Sequence, residues 1–129
     1  MEFNKRLPIY EQLVQYFKQS FVNGTYRPGD ILPSRRELAQ QMSINPNTVQ
    51  RAYKIMEEEG LIMTEANVTS RLTEDTERLV YLKQELVREA VELFRQAVQP
   101  LNLERQELLV LLTECVTQTG KEGEIYAGN

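Results

Sequence analysis

Asn45, Asn47, Thr48, Gln50, Arg51 and Lys54 lie within ten residues of one another. Side-chain amides and guanidinium groups form paired hydrogen bonds to base edges, Arg to guanine and Asn or Gln to adenine, and cations neutralise phosphates. Spacing decides whether these groups can act together. On a helix advancing about 100° per residue, Asn47, Gln50, Arg51 and Lys54 project from one side, while Val49, Ala52, Tyr53 and Met56 keep the i, i+3, i+4, i+7 spacing of a buried stripe. Just upstream, Ser34-Arg35-Arg36-Glu37 reads as Ser-x-x-Glu, a capping box in which serine and glutamate satisfy each other's exposed amides. Between residues 34 and 54 the charges are Arg35, Arg36, Arg51 and Lys54 against Glu37 alone, a concentration a nucleic-acid groove can use.

Catalysis has far less support. The chain contains no histidine and a single cysteine, so the commonest metal ligands and the usual general base are missing, and its carboxylates join no nucleophile, base or metal constellation. We expect no enzyme, no metal site and no cofactor. Cys115 falls among leucines and is expected to be a buried small hydrophobe.

Three elements must position the polar face. Pro8 to Val22 places Ile9, Leu13, Phe17 and Phe21 at four-residue steps, predicting an amphipathic helix ended by Asn23-Gly24-Thr25 and followed by a turn at Arg27-Pro28-Gly29-Asp30. A short helix over about 34–41 then leads through Met42-Ser43-Ile44-Asn45 to a third helix, capped by Asn45, opened by Pro46 and closed at Gly60. Leu61–Thr64 and Val68–Leu72 read as two short strands around Glu65-Ala66-Asn67, where asparagine tolerates the left-handed turn conformation. Short helix, turn, polar helix and hairpin compose a winged helix-turn-helix; the same pattern also fits a small helical bundle whose polar face is merely solvated.

Pro8-Ile9-Tyr10-Glu11-Gln12-Leu13, Arg27-Pro28-Gly29-Asp30, Leu32-Pro33-Ser34-Arg35-Arg36-Glu37-Leu38-Ala39, Asn45-Pro46-Asn47-Thr48-Val49-Gln50-Arg51-Ala52-Tyr53 and Gly60-Leu61-Ile62 closely resemble the N-terminal domain of GntR-family transcription regulators. The resemblance covers about residues 8–64, and Asn-Pro-Asn-Thr-Val with Ala-Tyr and a short tail is similar to the YtrA-type branch. It implies a repressor-like reader of double-stranded operator DNA. Arg36, Asn45, Asn47, Thr48 and Gln50 match the positions that approach DNA, and the helix face adds Arg51 and Lys54. Ser34, Arg35 and, from the hairpin, Asn67 complete the candidate set. Wings of the family carry two glycines where this chain has Asn67 and Thr69, so a very close minor-groove approach of this backbone is less comfortable.

The remainder differs in kind. Residues 1–72 hold nine Lys/Arg and eight Asp/Glu, whereas 73–129 hold six and eleven, giving net charges of +1 and −5. We therefore expect a DNA-binding domain over 1–72 and a short helical dimerisation domain over 73–129. Thr73, Glu74, Asp75 and Glu77 mark the start of a long helix whose apolar side runs through Leu79, Leu82, Leu86, Ala90, Leu93 and Ala97, widened by Val87, Val91, Phe94 and Val98, up to a break at Pro100. Asn102 is expected to cap a second helix carrying Leu108, Leu111, Leu112 and Cys115, and Thr119-Gly120 to end it.

Stripes this wide cover each other only in part, so they call for a second copy or for docking on the N-terminal domain. Homodimerisation is the expected outcome. About 55 residues of helix cannot enclose a pocket of several hundred cubic ångströms, so no dedicated small-molecule cavity is expected within one subunit. The longest apolar run, Leu108 to Leu112, is far below the roughly 20 residues of a membrane span. Met1 to Arg6 has no apolar signal region, and cytoplasm is the expected compartment. The rival to an operator-binding regulator is an adaptor whose acidic tail meets a protein partner. The YtrA-type resemblance implies control of transporter genes.

Overall fold

The computed structural model describes residues 2–66 and 69–122, with side chains placed through residue 118. The element order is α1 (Ile9–Val22), α2 (Arg35–Met42), α3 (Pro46–Glu58), β1 (Ile62–Glu65), β2 (Thr69–Leu72), α4 (Thr76–Val98), a 3-10 turn (Gln99–Leu101) and α5 (Arg105–Glu122). This is the expected mostly helical winged helix-turn-helix followed by C-terminal helices. The chain divides into two compact units, Met1–Gln84 and Glu85–Asn129.

In the first unit, Pro8 stands just outside α1 with φ −54°, and the stripe behind it buries Leu13, Phe17 and Phe21 while Ile9 stays at the surface. Phe17 meets Tyr53 of α3 edge-on, with ring centroids 5.8 Å apart, a favoured aromatic geometry. Val49, Ala52, Tyr53 and Met56, the stripe read from the sequence, are all fully buried. Burial of each large apolar side chain contributes about 1.5–3 kcal/mol. α1 and α2 both pack on this stripe.

The hairpin is antiparallel, with Ile62 opposite Leu72 and Glu65 opposite Thr69. Its inward residues Ile62, Ser70 and Leu72 are buried, as alternation along a strand requires. Its tip includes Ala66 in the left-handed region at φ +50°. The segment before α2 also joins the sheet, which periodicity did not foretell. Leu32 donates its N–H to the Ser70 carbonyl (2.8 Å), and Leu72 donates to the Asp30 carbonyl (2.9 Å). Gly29, at φ +85° in the tight turn of Arg27–Asp30, donates to the Leu72 carbonyl. β2 is thus paired on both sides.

Leu82 of α4 is 1% exposed and belongs to the same core. The start of α4 is held by Asp75, whose Oδ1 accepts from the N–H of Glu77 and of Arg78, while the Thr73 hydroxyl oxygen accepts from the Asp75 N–H. Arg78 donates from Nε to the Glu59 carbonyl at 2.9 Å, tying this turn to the end of α3.

In the second unit α4 ends at Val98, and Pro100 sits in the 3-10 turn that follows. Two expectations need correction. Asn102 does not cap α5: it closes the 3-10 turn in the left-handed conformation, φ +52°, and α5 begins three residues later. Nor does Thr119-Gly120 end α5, which runs on to Glu122; one glycine costs a helix only about 1 kcal/mol. Val87, Val91, Leu93, Phe94, Leu109, Leu111, Leu112 and Val116 are exposed, and so is Cys115, which the sequence suggested would be buried. Among the described residues these side chains of α5 stay open to solvent. No helix among the described residues is long and apolar enough to cross a membrane.

Candidate nucleic-acid interface

Local chemistry sets the helix-turn-helix. Ser34 caps α2, its Oγ accepting from the Glu37 N–H at 3.1 Å, the serine arm of the capping box. Ser43 ends α2 in the left-handed conformation at φ +54°, and the Ile44 N–H returns to the Ala39 carbonyl. Two residues later Asn45 caps α3, its Oδ1 accepting from the Asn47 N–H at 2.8 Å, with Pro46 in the first turn. These signals fix where α3 starts. Its solvent face follows from that start.

Asn47, Gln50, Arg51 and Lys54 are exposed on α3, Thr48 is half-buried, and Arg36 is exposed on α2. The face splits into two sides. Gln50 turns toward the hairpin and shares with Arg35, Glu57 and Thr64 a shallow polar depression of about 200 Å³. Arg51 turns the other way, toward α1, its guanidinium carbon 3.8 Å from the centroid of the Tyr10 ring and its Nη2 donating to the Tyr10 hydroxyl at 3.1 Å.

Arg35 points inward, unlike Arg36. It donates from Nη2 to Glu57 Oε1 (2.7 Å) and to Thr64 Oγ1 (3.4 Å), and from Nη1 to Ser70 Oγ (3.3 Å). Its guanidinium carbon also stands 4.8 Å from the Tyr53 ring centroid. One side chain therefore joins α2, α3 and both strands. Asn67 lies outside the described residues.

Sequence reasoning missed the groups that hold this face. Glu57, Thr64 and Ser70 reach Arg35 across 22 to 35 residues, and no spacing rule connects them. Tyr10 did carry a signal, since it sits in the Pro-Ile-Tyr-Glu-Gln stretch. The Tyr53 hydroxyl donates to the Pro33 carbonyl at 2.6 Å, fixing the turn before α2. Burial pushes its pKa well above the usual phenol value, with the neighbouring Tyr26 adding to the rise and Arg35 opposing it. Among the described residues no group of three or more acidic or thiol side chains is placed to hold a metal. The exposed face offers amides and guanidinium groups, which can hydrogen-bond to base edges and phosphates.

The model of the gntR family of bacterial regulatory proteins matches residues 9–71. The HTH-type transcriptional repressor YtrA of Bacillus subtilis is 54% identical over 57 residues, 44% of either chain. The HTH-type transcriptional regulator YhcF of the same organism is 37% identical over 108 residues, 84% of this chain and 89% of that one. A solved GntR family transcriptional regulator from Listeria monocytogenes is 35% identical, covers 87% of this chain and 98% of its own, and superposes with a TM-score of 0.81. The chain belongs to the gntR family of bacterial regulatory proteins, and its winged helix-turn-helix is that of a DNA-binding transcription regulator, not of an enzyme.

Proposed function

We propose that the protein is a repressor that binds a palindromic operator as a homodimer, with one α3 in each of two successive major grooves. The observation that carries the reading is the exposed amide and guanidinium face of α3, set by a doubly capped helix-turn-helix. Asn47, Thr48 and Gln50 read base edges, and Arg36 and Lys54 take backbone phosphates. Ser34 and Asn45 position α2 and α3 through their caps, and Arg35 braces α3 against the hairpin. A wing contact from Asn67 belongs to the same reading. Half-sites about 34–36 Å apart suit a two-fold dimer.

The exposed apolar faces of α4 and α5 support the dimer, since exposed Val91, Leu93, Phe94 and Leu112 together are more than a solitary surface tolerates. The resemblance to YtrA-type regulators supports transporter genes as targets. Selection of bound fragments from the source genome, followed by titration at rising salt, tests the proposal. We expect affinity to fall steeply with salt through counterion release. Asn47→Ala and Gln50→Ala should shift preference among operators by about 1–3 kcal/mol for each two-bond base pairing removed. A protein that selects no duplex at low salt would instead be an adaptor.

A further inference from the structure

Arg51 is held differently from the other exposed cation on its helix. Its guanidinium lies on the Tyr10 ring at 3.8 Å, and Nη2 donates to the phenol oxygen. The Tyr10 hydroxyl in turn donates to Glu11 Oε1 at 3.3 Å, which leaves its lone pairs facing Arg51. Glu11, the carboxylate of this cluster, thus engages the hydroxyl and not the guanidinium. A flexible arginine has been given one orientation before any ligand arrives.

That orientation points away from the base-reading side. Taking Asn47 as the middle of the face, Gln50 lies about 60° toward the hairpin and Arg51 about 40° toward α1 at 100° per residue. Stacking covers one face of the guanidinium and a hydrogen bond takes one of the Nη2 donors, which leaves one two-donor edge intact. Such an edge matches two phosphate oxygens. The chain before α1 is fixed by Gln12, whose Nε2 donates to the Asn4 and Leu7 carbonyls and whose Oε1 accepts from the Asn4 N–H. Lys5 and Arg6 are exposed on that ordered arm.

We propose that Arg51 clamps a DNA backbone phosphate on the α1 side of the recognition helix, and that Tyr10 is the positioning residue that holds it there. The inference rests on the DNA-binding reading above and divides its labour: Gln50 and Asn47 discriminate sequences, whereas the Tyr10–Arg51 pair adds affinity without discrimination.

The test uses the full chain and two duplexes, one selected by the parent protein from genomic fragments and one with the same base composition scrambled. Affinities are measured over a salt series for the parent, Arg51→Ala, Tyr10→Ala, Tyr10→Phe and the double alanine variant, with thermal midpoints as a folding control. Arg51→Ala should weaken both duplexes by the same factor and lower the salt slope by about 0.9 for each phosphate no longer neutralised, near two for a dimer. Tyr10→Ala should reproduce most of that loss and add nothing in the double variant. Tyr10→Phe, which keeps the ring, should recover part of it. If alanine at position 51 perturbs folding, Arg51→Gln removes the charge at similar size.

A change in the ratio between selected and scrambled duplexes for Arg51→Ala would make it a base reader and overturn the proposal. So would losses at Tyr10 and Arg51 that simply add, or variants that bind as the parent does. A parent that selects no duplex sinks the operator reading as well; a parent that selects one while these variants are unaffected sinks only the clamp.

Discussion

Two adjacent arginines show how little a residue's type says about its task. Arg35 turns its two terminal nitrogens to Glu57, Thr64 and Ser70, whereas Arg36 is exposed beside it. The Arg35–Glu57 pair is partly shielded, so Arg35→Ala should cost about 1–2 kcal/mol in urea unfolding, between an exposed and a buried ion pair. Arg36→Ala should change stability by less than about 0.5 kcal/mol while weakening duplex binding. Tyr53 yields a prediction in pH. Burial holds its phenol neutral, so the folded chain keeps this proton at pH values where the unfolded chain has released it. Its contribution is complete below the ordinary phenol pKa of 10.0 and is lost as pH rises above it. Urea midpoints should fall as pH is raised above about 10, and Tyr53→Phe should flatten that fall while losing about 1 kcal/mol at neutral pH with its bond to Pro33. Ser34 and Asn45 were legible in the sequence because each bonds an amide two or three residues ahead. The roles of Arg35 and Tyr10 were not, because their partners come from other elements.

Among elements, the same distinction separates what was read from what was missed. The buried stripe of α3 and the starts of α2 and α3 follow from side chains within one helical turn. The pairing of residues 29–32 with β2 depends on a chain segment returning some 40 residues later, and Asn102 could equally have ended one element or begun another. The turn of the helix-turn-helix carries a local cost, since Ser43 adopts the left-handed region. Ser43→Gly should relieve that strain but adds freedom to the unfolded chain, for a net gain of about 0.5 kcal/mol. Thermal unfolding would show it, and a loss of stability would mean that the serine side chain supports the turn.

At the scale of the molecule, the proposed dimer makes the apolar faces of α4 and α5 an interface. Leu93→Glu combined with Leu112→Glu should shift sedimentation toward a monomer and reduce affinity for a two-site operator far more than for a single half-site. Unchanged sedimentation would place the interface elsewhere. The anchoring of Leu82 and Arg78 bears on how such proteins are cut and rejoined. A fragment ending at Leu72 contains every helix-turn-helix and hairpin residue but lacks the side chain that closes the core and the arginine fastened to the Glu59 carbonyl. Removing a fully buried leucine typically costs about 2–5 kcal/mol. The portable piece is therefore longer than the reader it carries: a graft onto a foreign partner domain should keep the chain through Gln84, and a shorter one should arrive as a reader already close to unfolding.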